Sequence, residues 1–441
     1  MNQTENTIKH INEVIGVLNK EADYAVLRNF EGLPDKNNSR DIDIIITRKS
    51  YNRVKNTLVE LIDKSGWKII TYLHSDRLIS YVCATTTEEQ TDIIQWDFFF
   101  DTSVWGIQLM SAEEFLANRK FNGFLYYIDT DGQFLDKYLY NRAVGSKYPE
   151  KYRATREAAE LLPVVTEKIK EIFGCGSVAQ CDKESGKKLI MRALWANIKK
   201  RPFALVCNII YFLYTFIGNY ICSRTGLSIG FTGPDGSGKT TVIDMLLERI
   251  APVFGLAHKY YHFRPALFGN LGEVAHSAGI KKEVDRNFDK PHRGGKTGKL
   301  NSLARLTYYS IDYIIGYFIK IKSVTRITRA VVFDRYFTDI ICDSRRTRIY
   351  LNHKFLYWWG KLFIPSLNYN ILLTASSETI LARKRELDEE GIRIINDKID
   401  YLCNKKGYRK VLNETTPQAA VCEILTHVFE EQHKKNLRRL K

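Results

Sequence analysis

The chain has 441 residues, too long for one ordinary domain, so two or three are expected. Its 44% hydrophobic and 26% charged content is that of a globular protein. The net charge of +16 (66 basic minus 50 acidic) suits anionic partners such as nucleotides, nucleic acid or lipid headgroups, and equally a plain basic solvated surface.

From the N-terminus, residues 7–20 place Ile8, Ile11, Val14, Ile15 and Leu18 on one helical face. Residues 24–28 (YAVLR) read as a strand, 31–39 as a turn-rich loop and 41–46 (DIDIII) as a second strand. A helix is expected over 51–61, and strands over 67–73, 79–83 and 93–100. Asp41 and Asp43 share one face of their strand, because side chains alternate with period two. Asp97 sits mid-strand between Trp96 and Phe98, a costly place for a carboxylate without a cation or other partner. Three convergent carboxylates are what Mg²⁺-assisted nucleotidyl transfer needs. As strand-end surface charges, Asp41 and Asp43 need no metal.

The order strand, loop, D-x-D strand, later Asp resembles the polymerase-β-type nucleotidyltransferases over about residues 20–103. The resemblance implies an α+β N-terminal domain with Asp41, Asp43 and Asp97 as Mg²⁺ ligands. Arg28-Asn29 stands where that family has a Gly-rich turn for the triphosphate.

Ser111 and Glu114 form a capping-box pattern for a helix through Lys120. From there to about residue 200 the chain reads as a helical connector, broken by GCGS at 174–177 and without a catalytic constellation. Residues 203–222 (FALVCNIIYFLYTFIGNYIC) carry no charge over twenty positions. A buried helix is the first expectation, an in-plane membrane-associated helix the second, and a span the third. The eight scattered Cys hold no C-x-x-C pair and read as reduced thiols. Residues 1–16 show no signal-peptide core, so a cytoplasmic location is expected, with membrane association through 203–222 as an option.

Residues 227–242 (LSIGFTGPDGSGKTTV) contain G-x-x-x-x-G-K-[ST] between an apolar strand and a helical run. Gly233, Gly236, Ser237, Gly238, Lys239, Thr240 and Thr241 are therefore expected to bind the phosphates of ATP, with Thr240 on Mg²⁺. Strands follow at 258–263, 330–333 and 368–374, and an aromatic-rich helix at 303–321 contains Asp312. An unpartnered carboxylate there would be expensive. Asp334 ends its strand where a Mg²⁺ partner is expected, and Arg335 beside it can grip an anion bidentately. Residues 281–299 form a Lys/Arg-rich loop, either solvated or a cover over an acceptor. Residues 380–391 begin a basic helix or lid containing Arg383 and Arg385, which reads equally as a plain solvated helix face.

The loop at 233–241 (GPDGSGKTT), Asp334-Arg335-Tyr336 and the Arg-rich lid together resemble the thymidylate kinases over about residues 226–432. The resemblance implies a three-layer P-loop NTPase domain with a parallel sheet. Asp235 would contact the acceptor, Arg335 would hold its phosphate, and Arg383 or Arg385 would act as the lid arginine. Arg264 of Phe263-Arg264-Pro265, which replaces the family's usual stretch after the second strand, is assigned to the acceptor as well. The charged cluster Asp339, Asp343, Arg345 and Arg346 and the basic insertion also depart from the family. With these changes the chain resembles the thymidylate kinase-like proteins of bacterial surface-polysaccharide clusters, which implies a sugar or glycan acceptor.

The expectation is thus an α/β protein divided at 1–110, 111–222 and 223–441. It would transfer the γ-phosphoryl of ATP, with Mg²⁺, to a nucleoside monophosphate or a sugar or glycan. Metal-dependent nucleotidyl transfer and a non-enzymatic nucleotide-binding scaffold at a membrane are the alternatives. Nucleic acid is not an expected partner, since no aromatic-plus-basic reader motif is present. The oligomeric state is left open, a homodimer included.

Overall fold

A computed structural model describes residues 4–37, 39–219, 226–254, 259–267, 298–326, 329–384 and 387–440. It is a mixed α/β structure with two compact units. The first comprises Met1–Thr85, Asp92–Ser223 and Phe429–Lys441, and the second Thr86–Thr91 and Arg224–Val428.

The first unit is built on a seven-stranded sheet in the order β3-β4-β5-β2-β1-β9-β8. The strands are β1 Tyr24–Val26, β2 Asp41–Ile46, β3 Lys68–His74, β4 Leu78–Thr86, β5 Thr91–Phe99, β8 Lys120–Phe121 and β9 Tyr126–Tyr127; β6 Asp101–Val104 and β7 Ile107–Ser111 form a separate hairpin. β2 runs parallel to β5, with Asp43 opposite Asp97. Alternation along these strands decides the two faces. Ile42, Ile44, Ile46, Trp96 and Phe98 join a core under the helices Glu5–Glu21 and Arg48–Lys64. Ile45 and Phe99 point the other way, into a core with Phe134, Tyr138 and Leu189 of the helices Thr130–Ala143 and Gly186–Lys200. Asp41, Asp43 and Asp97 have the parity of this second face, so helices from the expected connector cover them.

Several local expectations changed. Both halves of the Ser111–Glu114 capping box form, but the helix is only Ala112–Leu116, and the chain then supplies β8 and β9 to the sheet edge. Within the expected helical connector, Pro163, which has no backbone N–H to donate, begins a new helix; the pieces are Arg153–Ala159 and Pro163–Phe173.

The apolar segment forms the helix Pro202–Ile217, and the expectation that it is buried fails. Leu205 and Thr215 are buried, whereas Phe203, Ile210 and Tyr214 are 82%, 61% and 73% exposed. The side that does pack approaches very closely. A Cβ on Gly106, whose φ is +80°, would lie 2.7 Å from the Ile209 Cα, so only glycine fits there. Such an approach buries a narrow strip and leaves the rest of the helix outside. Among the described residues no helix is long and apolar enough to cross a membrane.

The second unit holds a five-stranded sheet in the order β11-β12-β10-β13-β14, every pair parallel. These strands are β10 Leu227–Thr232, β11 Lys259–His262, β12 Ala330–Asp334, β13 Tyr369–Thr374 and β14 Tyr408–Leu412. β10 and β12 are buried throughout, as parallel strands covered on both faces must be. In place of the expected lid helix at 380–391 stand two helices, Ser377–Arg383 and Glu389–Cys403.

Candidate functional site

β10 ends at Thr232, and the helix Lys239–Phe254 begins seven positions on. The intervening loop turns beside the end of β12, where Asp334 pairs in register with Phe231. In parallel sheets this carboxyl-terminal edge, where strand order reverses direction, is where ligands bind. The loop is pinned from both sides. A Cβ on Gly233 would lie 1.9 Å from the Leu373 carbonyl oxygen. Gly238 has φ +83°, and a Cβ there would lie 2.4 Å from Asn413 Nδ2, which donates to the Ser237 carbonyl at 2.9 Å.

Lys239 is buried inside the loop, where its ammonium donates to the carbonyls of Gly233 (2.9 Å) and Pro234 (2.8 Å). Burial, helped by the neighbouring Arg335 charge, pushes its pKa down to about 7. Phosphate oxygens beside it would restore the charge. Nucleotide binding is therefore expected to take up a proton above neutral pH, and affinity should fall as pH rises from about 7 towards the ordinary lysine range. Calorimetric titration of ATP at pH 8 in buffers of different ionisation enthalpy measures that uptake; a buffer-independent heat would contradict it.

Asp334 Oδ2 accepts from Tyr260 Oη at 3.2 Å, and His262 Nδ1 lies 3.3 Å from the same oxygen. Burial pushes this carboxyl up, but His262, Lys239 and Arg335 together hold it below the ordinary carboxylate range. Its Oδ1 is buried and has no hydrogen-bond partner among the described residues. An orphaned carboxylate oxygen with the exposed Thr240 hydroxyl nearby in the motif is a donor set that fits Mg²⁺. Thr241 is likewise exposed at the start of the helix.

Asp235 and Arg335 meet directly. Arg335 Nη2 donates to Asp235 Oδ1, and Arg346 Nη2 donates to Asp235 Oδ2. Arg335 Nη1 also donates to Asp339 Oδ1 at 2.8 Å. Burial disfavours the Arg335 charge, but Asp339 and Asp235 more than compensate and hold the guanidinium above its ordinary range. The backbone at Arg335 is left-handed, φ +77°, and its N–H donates to the Phe231 carbonyl at 2.9 Å, which aims the side chain back across the loop.

Arg264 is buried away from this cluster's carboxylates. Its Nη1 donates to Asp312 Oδ2 at 3.0 Å. Asp312, fully buried, also accepts from the backbone N–H of Ala266 (3.1 Å) and Leu267 (2.8 Å), which answers the concern over an unpartnered carboxylate in that helix. Arg383 is exposed and donates to the Asn413 carbonyl at 2.9 Å, so Asn413 links it to the loop before Lys239. Arg385 and residues 281–297 of the basic loop lie outside the described residues. Arg346 and Asn413 were not singled out from the sequence as site residues. Arg346 carried a signal, the charged cluster after Asp334-Arg335-Tyr336; Asn413 carried none.

In the first unit Asp41, Asp43 and Asp97 do converge, each offering an oxygen within 4.8 Å of the others. Gln95 Nε2 donates to both oxygens of Asp97, at 3.1 and 2.9 Å, and burial, reinforced by Asp43 and Asp41, pushes that carboxyl up to about 6. The residue that replaces the expected glycine turn is part of the cluster. Arg28 is buried, its Nε 2.5 Å from Asp43 Oδ2 and its Nη1 3.0 Å from Asp136. Burial works against its charge, but Asp136 and Asp43 hold it above its ordinary range. Four carboxylates against Arg28 and the neighbouring Lys137 leave an excess of negative charge, so the donor set fits a hard divalent cation.

No family model matches the chain, and no curated protein does. Among solved structures, the thymidylate kinase from Ehrlichia chaffeensis is similar to it at 15% identity, over 46% of this chain and 98% of that one, with a TM-score of 0.32.

Proposed function

We propose that the second unit is an ATP-dependent phosphotransferase whose acceptor is a hydroxyl group of a sugar or glycan. The observation that carries this is the pinned loop around Lys239 beside the orphaned Asp334 oxygen. The loop N–H groups and Lys239 bind the phosphates of ATP, and Thr240 and Asp334 hold Mg²⁺, which when bound neutralises phosphate charge. Arg383, adjoining the loop through Asn413, stabilises the charge spread over the transferring group. The γ-phosphoryl leaves ADP and joins the acceptor oxygen, with a proton released. Arg335 and Arg264, the side chains expected to grip an acceptor phosphate, both hold buried carboxylates already. That arrangement favours a neutral hydroxyl acceptor over a nucleoside monophosphate. The test is γ-labelled ATP with a panel of sugars, glycans and nucleoside monophosphates. Label on a sugar or glycan is expected, and a labelled nucleoside diphosphate as the main product would overturn the acceptor assignment.

The carboxylate cluster of the first unit favours a second reading, metal-dependent nucleotidyl transfer at Asp41, Asp43 and Asp97. Its signature is a nucleotidyl-transfer product that persists in Lys239→Ala and disappears in Asp41→Asn. The reverse pattern would assign all turnover to the phosphate loop.

A further inference from the structure

At the other end of β2 and β5 from the carboxylates lies a pocket of about 650 Å³ within the first unit. Arg48, Lys55 and Arg439 line it, together with His74 and with Cys207, Asn208 and Tyr211 of the helix Pro202–Ile217. The Arg48 guanidinium stands 4.3 Å from the Phe100 ring and 5.1 Å from that of Tyr211, and Arg439 stands 5.3 Å from Tyr72. These stacked placements hold Arg48 and Arg439 at the pocket. No ion pair holds Lys55 or Arg439 among the described residues. Arg48 donates to the Asp76 carbonyl and has Asp76 and Asp101 within electrostatic range. His74 bonds the Tyr211 hydroxyl at 2.7 Å, and burial, then Arg48 and Arg439, keep its pKa below the ordinary range. The pocket therefore presents three basic side chains, two of them stacked on aromatic rings.

The helix that closes the pocket also carries the exposed apolar stripe. Phe203, Val206, Ile210, Leu213 and Ile217 recur at intervals of three and four, one continuous face. Cys207, exposed and lining the pocket, lies one turn from Phe203 and Ile210 on one side and from Tyr211 on the other. The cationic pocket and the apolar stripe thus meet along one edge.

We infer that this edge is a docking site for an anionic membrane lipid, its phosphate in the pocket between Arg48, Lys55 and Arg439 and its acyl chains along the stripe. Cations beside an apolar helical face are what an anionic interface attracts, with the helix lying in the plane of the headgroups. Neither reading of the catalytic sites is needed for this one.

Co-sedimentation of the full chain with phosphatidylcholine vesicles, with and without phosphatidic acid, tests it. Binding is expected to be about tenfold or more tighter when phosphatidic acid is present. Arg48→Gln, Lys55→Gln and Arg439→Gln together should remove the preference. Lys147→Gln, Lys183→Gln and Lys187→Gln, the same charge taken from exposed positions elsewhere on the unit, should leave it. Cys207→Glu, at an exposed position that tolerates the change, should also remove it. Phe203→Ser with Ile210→Ser should weaken binding to both kinds of vesicle. Equal losses in the two charge-removing triples would show diffuse attraction and overturn the inference. Saturable binding of glycerol 3-phosphate without vesicle binding would also overturn it, assigning the pocket to a soluble phosphate ester.

Discussion

Lys239→Ala is expected to lower ATP turnover by about 10³-fold or more while leaving the melting temperature unchanged or slightly raised. The two halves of this expectation come from the same environment. Without nucleotide, the ammonium is buried and, among the described residues, donates to the Gly233 and Pro234 carbonyls, and burial pushes its pKa down to about 7. Holding that charge costs stability, so removing it relieves the fold. With phosphates in the loop the same charge becomes the main local counter-charge, and its loss falls on the transition state. A coupled assay for ADP and a calorimetric scan check the two halves. Full turnover in this variant would sink the proposed function, and a large fall in melting temperature would contradict the account of the buried ammonium.

Arg335→Ala is expected to destabilise the second unit by about 3–5 kcal/mol, because it strands buried carboxylates. Arg335 is 3% exposed and pairs with Asp235 and Asp339, which are themselves largely buried. Asp339→Asn should cost much less. Burial already pushes that carboxyl above the ordinary range, so a neutral amide of the same shape gives up little. Urea unfolding of the two variants separates them. If both lose the same small amount, the arginine is not holding the cluster together.

The parts of the site that were readable in the sequence are those where backbone geometry demands a residue type. The glycine-rich loop before Lys239 is one, since Gly233 and Gly238 are fixed by the Leu373 carbonyl and by Asn413. Asp334 at the end of β12 is another, because a strand buried throughout leaves a carboxylate only its open end. Alternation likewise put Asp41, Asp43 and Asp97 on one side of the sheet. What could not be read was who answers each charge. Arg28 closes on Asp43 and on Asp136, more than a hundred positions away in the chain, and Arg264 closes on Asp312. Such pairs depend on how helices lie across the sheet, which local pattern does not record. The helix Pro202–Ile217 failed for a related reason. Apolarity says that a surface must be covered, and it does not say whether by the protein or by something else.

The strand order of the second unit also has a consequence for synthesis. β10 is central, and both of its partners come late: β12 begins at Ala330 and β13 at Tyr369, 103 and 142 residues after Leu227 (330 − 227 and 369 − 227). At ribosomal speed the phosphate-loop strand therefore waits about 5–20 s for its first neighbour. During that interval six apolar-rich residues with unsatisfied backbone groups are available to any other edge. A chaperone that holds nascent chains should engage this chain after residue 232 emerges and release it once β12 has been made.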